Sequence, residues 1–316
     1  MLHLRMITPS DRTESVVGLL ERTVGTAHIV VHPGAARDPA GDVVLCDVAR
    51  EAADRLLREL RELGLVGEGS VAVENIDLSL SDRAERAEVE APGEGVDAVL
   101  WESLADATHE ESRLSVTYLA FLTVATMLAA CGVVTDSAIL IVGAMVVGPE
   151  FGPLAGVCTG IVRRKPRPAL RSLAALVLGF LVAMLLTGVF GLVMDAVGLF
   201  SHERFSGAHP ETSFIWKPDL MSLVVALLAG VAGILSLTSA KSGALVGVAI
   251  SVTTVPAAAF AALALSYGEY GEMWGAAVQL GVNLAGILVA GTGTLLAQKA
   301  FWSWKRTQGP DRRILG

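Results

Sequence analysis

Charge is scarce in this 316-residue chain: Asp, Glu, Lys and Arg together make up 18%, against the roughly 25% usual for a soluble globular protein. The deficit is uneven. Up to Arg113 there are 11 Lys+Arg against 23 Asp+Glu; from Leu114 onward there are 13 against 9. An acidic first part short of Lys and Arg is poorly suited to neutralising phosphates, so a nucleic-acid partner is not expected. Cysteine is scarce too. Cys46, Cys131 and Cys158 show no metal-ligand spacing and read as small buried hydrophobes. His28 and His32 are four apart, a spacing that suits a helix rather than a strand and its loop, so no metal site is expected. No glycine-rich turn runs into Gly-Lys-Ser/Thr, and Gly-x-Ser-x-Gly, His-Glu-x-x-His and paired intramembrane aspartates are lacking. The chain is therefore expected to be neither an enzyme nor a cofactor carrier. No basic stretch followed by an apolar run opens the sequence, so no cleavable signal peptide is expected and the first span should direct insertion.

What is abundant is apolar. Hydrophobic residues make up 53% and the mean hydropathy is +0.58. The first part alternates. Leu2-His3-Leu4-Arg5-Met6-Ile7 has the period of a half-buried strand. Thr8-Pro9-Ser10-Asp11 supplies helix-start residues, and Val16, Val17, Leu19, Leu20 and Val24 make a stripe ended by Gly25. Strands are predicted at His28–Val31 and Val43–Val48, separated by a breaker-rich loop from His32 to Gly41. A second helix is predicted over Arg50–Leu63 and a fourth strand over Val71–Leu78. The order β-α-β-β-α-β is that of a ferredoxin-like α+β domain, shared with ACT-type regulatory domains, and it is assigned to residues 1–81. Residues 82–113 read as a charged linker followed by an amphipathic connecting helix containing Trp101.

From Leu114 the pattern changes. A bilayer core of about 30 Å needs about 20 apolar residues at about 1.5 Å each. Six spans are predicted, near 114–134, 137–161, 170–199, 220–240, 243–266 and 274–297, giving a transmembrane domain over 114–298 and a tail over 299–316. Lys and Arg cluster after the second span (Arg163, Arg164, Lys165, Arg167, Arg171), between the fourth and fifth (Lys241), and after the sixth (Lys299, Lys305, Arg306, Arg312, Arg313). By the positive-inside rule these segments and both termini face the cytoplasm of a multi-pass protein of the inner or plasma membrane.

Two of the spans are interrupted at mid-depth. One carries Gly143-Ala144-Met145-Val146-Val147-Gly148-Pro149-Glu150-Phe151-Gly152-Pro153; the other carries Gly247-Val248-Ala249-Ile250-Ser251-Val252-Thr253-Thr254-Val255-Pro256. Proline breaks the backbone ladder, and freed carbonyls in hydrocarbon must find partners or line a wet cavity. Paired broken spans point to a transporter's binding site. The candidate substrate- or ion-binding residues are Gly143, Met145, Pro149, Glu150, Gly152 and Pro153 from the first break, with Ser251, Thr253, Thr254 and Pro256 from the second. Gln279 and Asn283, one helical turn apart in the last span, join them. The competing account is two kinked helices packed through small residues.

The same motifs carry a family resemblance. Gly143-Ala144-Met145 with Pro149, Gly152 and Pro153, then Gly247-Val248-Ala249-Ile250 with Pro256, then Asn283, resemble the prokaryotic membrane family called domain of unknown function 389. The resemblance covers about Leu114 to Ala297 and implies no particular activity. The family's commoner pattern has an aliphatic residue where Glu150 stands and a second proline where Ala257 stands. Taken together, the sequence is expected to encode a transporter or channel for a small solute or ion. Its cytoplasmic domain would sense a cytosolic metabolite, and its Gly281, Gly286, Gly291 and Gly293 point to a homo-oligomer in the lipid bilayer. The alternative is a membrane-anchored sensor or scaffold that transports nothing.

Overall fold

The computed structural model describes residues 1–76, 78–91, 112–207, 220–238 and 254–307, with isolated positions between 101 and 110. Side chains are described as far as Phe301. Ser251 and Thr253 lie outside the described residues, as do the first half of the span predicted at 243–266, Lys241 between the fourth and fifth spans, and most of the amphipathic connecting helix predicted before residue 113. The chain divides into two compact units, one built mainly from residues 1–103 and the other from residues 104–237 and 242–299.

The first unit is a four-stranded antiparallel sheet with helices on one face. Its strands are β1 (Leu2–Thr8), β2 (Thr26–Arg37), β3 (Ala40–Val48) and β4 (Ser70–Asn75), in the spatial order β2-β3-β1-β4. Alternation decides which side is buried. In β1, Leu2, Leu4 and Met6 point inward while Arg5 stays exposed. Leu4 pairs with Cys46 on one side and Val73 on the other. Inward residues of β1 and β3 meet Val16, Leu19 and Leu20 of α1 (Thr13–Arg22) and Leu56 and Leu60 of α2 (Arg50–Glu62). Each such side chain contributes about 1.5–3 kcal/mol by leaving water. A short helix, α3 (Leu65–Glu68), precedes β4.

Two segments differ from the sequence reading. The loop predicted from His32 to Gly41 is largely a hairpin: β2 and β3 stay paired through Ala36–Gly41 and Arg37–Ala40. A register irregularity between His32 and Ala36 accommodates Pro33 and Gly34, which is how a ladder tolerates a residue without an N–H. The charged stretch after Ser81 is a helix, α4 (Asp82–Glu90), capped by the Ser81 hydroxyl. It buries Ala84 and Ala87, an apolar stripe too narrow to show in so charged a segment.

The second unit is helical. α5 (Val116–Val134) is followed by α6 (Ala138–Val147) and α7 (Phe151–Val162), which meet at a 55° bend. Then come α8 (Pro166–Ala196), a short α9 (His202–Phe205), α10 (Leu220–Thr238), α11 (Val255–Tyr267) and α12 (Tyr270–Thr307). Four of these helices are long and apolar enough to cross a membrane, and the bent α6–α7 pair makes up to five candidate spans. α11, at 13 residues, is too short alone, since about 20 are needed. α8 has 31 residues, about 46 Å of helix. Its Leu178, Leu181, Leu185 and Leu192 point outward, as expected of a helix apolar on every side.

Small residues set the packing. A Cβ on Gly160 would lie 2.7 Å from that of Ala169, and one on Gly230 would lie 2.6 Å from the Ile287 carbonyl oxygen. α5 and α8 are joined across their contact by Thr187, whose hydroxyl donates to that of Thr126 at 2.8 Å. Phe205 of α9 is buried against Phe260 and Tyr267 of α11.

Candidate functional site

The N-termini of α7 and α11 meet. Glu150 occupies the cap position preceding α7, and Thr254 the cap position preceding α11. Neither side chain caps its own helix; instead the Thr254 hydroxyl donates to Glu150 Oε1 at 2.8 Å. Glu150 is 1% exposed and Thr254 fully buried. The prolines follow from the same geometry. Pro153 and Pro256 fall in the first turns of α7 and α11, where a backbone N–H has no partner within the helix to lose.

The depth of the junction follows from the ends of the helices. Lys299 of α12 donates to the Val162 carbonyl at 3.3 Å, so the end of α7 and the later part of α12 lie at one level. His202, just beyond α8, contacts Glu269, just beyond α11, at 3.1 Å. These two levels are separated by the length of α8, which starts beside the first and ends beside the second. α7 has 12 residues and α11 has 13, about 18 and 20 Å of helix. Their N-termini therefore approach one another from opposite ends, and the Glu150–Thr254 bond lies deep between them.

The other predicted site residues are distributed as follows. Met145, Gly152, Pro153 and Pro256 are buried around the junction and Pro149 is half-buried. Gly143 faces outward, with nothing among the described residues within 4 Å of where a Cβ would stand. The close contact expected of it in the packing account is not made among the described residues. Gln279 and Asn283 are buried in α12 and bonded to each other, Gln279 Nε2 donating to Asn283 Oδ1 at 3.3 Å.

Two features escaped the sequence reading. Tyr118 of α5 is 6% exposed, and its hydroxyl has no hydrogen-bond partner among the described residues. Its ring fills the notch left by Gly179, and it lies within electrostatic reach of Glu150. Nothing marks a tyrosine near the start of an apolar helix as special. In the first unit, Asp47 holds two imidazoles at 2.7 Å, His3 through Oδ1 and His28 through Oδ2, and His28 Nε2 contacts Ser81 Oγ at 2.9 Å. These four residues are spread over 79 positions of sequence and only the sheet brings them together. Among the described residues no group of His, Cys, Asp and Glu could hold a metal ion.

A buried carboxylate held by a hydroxyl, at the meeting of two half-helices inside an apolar bundle, can take up a proton or exchange its partner for a bound solute. Residues 145–289 match the family described as Domain of unknown function (DUF389). The resemblance carried by the glycine and proline motifs is thus met. The DUF389 match covers somewhat less than half of the chain and takes in Glu150, Thr254, Gln279 and Asn283, while Tyr118 lies before it. The chain is also similar to the uncharacterized protein MJ0678 of Methanocaldococcus jannaschii, with 24% identity over 200 residues. That similarity covers 63% of this chain and 60% of the relative. No solved structure matches. Neither the DUF389 description nor the relative's name states an activity.

Proposed function

We propose that the protein is a transporter or channel for a small solute or ion, with Glu150 and Thr254 at the centre of its pathway. The observation that carries this reading is the meeting of two broken-helix N-termini at a buried carboxylate. On insertion scales a charged residue at the centre of a span costs about 2.5–3.5 kcal/mol. A packing role needs no such residue, because the same space could be filled by Leu or Met. The N-terminal unit is read as ferredoxin-like, from its strand order and paired helices, and as a sensor for a cytosolic metabolite. Both termini are placed in the cytoplasm of a plasma-membrane protein. This is supported by the basic turn Arg163-Arg164-Lys165 and by Lys299 lying at the same end of the helical unit. No enzymatic step is assigned to the site.

Flux into proteoliposomes, measured over a panel of ions and small metabolites, tests the reading. Glu150→Gln should change transport or its pH dependence without altering the size-exclusion profile. Thr254→Val removes one hydrogen bond to a buried carboxyl, about 1.5–3 kcal/mol if that group is charged, and should weaken transport. Reporter fusions after Lys165 and near Ala208 should report opposite sides of the membrane. A second reading, the non-transporting sensor or scaffold, is favoured by the close backbone approach at Gly230 and Ile287, which is how membrane helices pack for stability alone. A wild type that moves nothing across the panel would leave that reading standing.

A further inference from the structure

We infer that the Glu150–Thr254 junction is a proton-linked site for a small monovalent anion, with the Glu150 carboxylate as its resident occupant. This rests on the reading of the junction as the solute site and names the class of solute. The sign of the site decides the class. Each helix N-terminus carries the equivalent of about half a positive charge. α7 and α11 present two of them to one point, from opposite directions, and their cap residues are joined by a hydrogen bond. Together they amount to about one positive charge. A metal cation or an ammonium would sit against that field, whereas an anion sits with it.

The helices that build the junction hold no basic side chain at its depth. No Lys or Arg occurs from Leu114 to Val162, from Ser172 to Ala196, or from Val255 to Tyr267. Ionised, the carboxylate balances the two dipoles and the site is neutral. When Glu150 takes up a proton, that balance is lost and the two N-termini hold an uncompensated positive field. An anion then restores neutrality, so one proton and one anion enter together.

A second observation points to the ligand. Tyr118 Oη is buried, has no partner among the described residues, and lies within electrostatic reach of Glu150. A buried hydroxyl is a donor awaiting an acceptor, and a bound anion supplies one. Thr254 would turn its own hydroxyl from the carboxyl to the same anion. The remaining ionisable groups on these helices are Cys131 and Cys158, with Arg167 and Arg171 at one end of α8 and Asp195 and Tyr267 near the opposite level. Glu150 is thus the carboxylate to which the proton dependence belongs.

The test uses the full-length protein in detergent, with nitrate as the probe and binding read by calorimetry between about pH 5.5 and about pH 7.5. With one proton coupled to one anion, wild-type affinity should fall by up to about tenfold per pH unit where Glu150 gives up its proton. Glu150→Gln keeps the shape and removes the charge, so its nitrate affinity should be independent of pH and at least that of the wild type at the acid end. Tyr118→Phe should weaken nitrate about three- to tenfold, the loss of one hydrogen bond, while leaving the pH slope intact. A purely structural tyrosine would leave affinity unmoved or lower the melting temperature instead. The inference is overturned if nitrate binds neither wild type nor Glu150→Gln at acid pH, or if the wild type binds sodium or potassium and loses it on Glu150→Gln. The flux panel is read separately. Cation flux dependent on Glu150 would uphold transport and sink the anion site. Proton-linked nitrate binding with no flux of any solute would uphold the site and sink transport.

Discussion

Gly160→Ala is the smallest change that tests the packing of the helical unit. Gly160 lies near the end of α7, where the chain turns back into α8. A Cβ there would stand 2.7 Å from the Ala169 Cβ and 2.9 Å from both its Cα and its nitrogen. Real Cβ atoms essentially never come so close, and two of these three neighbours are backbone. The turn cannot easily open, because the Lys165 N–H donates to the Gly160 carbonyl at 2.9 Å and that of Arg164 to Ile161 at 3.0 Å. Elsewhere in a helix, Gly→Ala gains about 0.8–1.0 kcal/mol from lower backbone entropy. Here overpacking costs about 1–3 kcal/mol, so the net change should be a loss of up to about 2 kcal/mol. Gly143→Ala is the internal control. It lies in α6 with nothing among the described residues within 4 Å of the new methyl and should gain the full propensity term. The two variants should therefore differ by about 1–3 kcal/mol, in opposite directions from wild type. The fraction folded in a mild detergent titrated with a denaturing one measures this directly. Equal stability of the two variants, or Gly143→Ala as the weaker one, would refute the reasoning.

Two further predictions concern the first unit. Asp42 accepts hydrogen bonds from the Gly34 N–H, the Thr13 hydroxyl and the Ser10 hydroxyl, which hold its carboxyl below the usual carboxylate range. A lowered folded-state value means stability that is present above the unfolded value of about 3.9 and is lost as pH falls through the folded one. Asp42→Asn should lower the melting temperature of the isolated unit at neutral pH, and the difference should close in strong acid; a difference constant with pH would exclude the ionic account. Cys46 is fully buried in β3, and burial, with the adjacent charge of Asp47, pushes its thiol up to about 12. A maleimide applied at about pH 8 should leave Cys46 unmodified until the domain is unfolded, because the thiolate is the reactive form; labelling in the folded state would contradict the burial.

How much was legible in the residues depends on the range of the interactions. The strands and helices of the first unit are written in local periodicity, so Leu2-His3-Leu4-Arg5-Met6 announces β1 without help from the rest of the chain. The bend between α6 and α7 was equally legible, because proline acts on its own backbone. That Glu150 and Thr254 stood out as polar residues at the predicted breaks also followed from the sequence; that they bond across 104 positions did not. The same holds for Tyr118, whose meaning lies in the notch at Gly179 and the carboxylate nearby, both of them distant in the chain. Gly143 shows what local sequence leaves open. A glycine beside a break reads as a packing contact, but only the neighbouring helices decide whether anything packs there.

The shortness of the half-helices has a consequence for how the protein is made. α6, α7 and α11 contain 10, 12 and 13 residues, about 15, 18 and 20 Å of helix, each short of a hydrocarbon layer about 30 Å thick. None can settle in lipid alone, since the backbone at its broken end would face hydrocarbon unpaired. Each must be received by protein already in place. α5 precedes the first pair and α8 follows it closely, and together they form the walls against which α11 lies. During synthesis α11 emerges only after those walls exist, so the order of the chain is also an order of assembly, and the buried junction is completed by the last of its three half-helices to emerge.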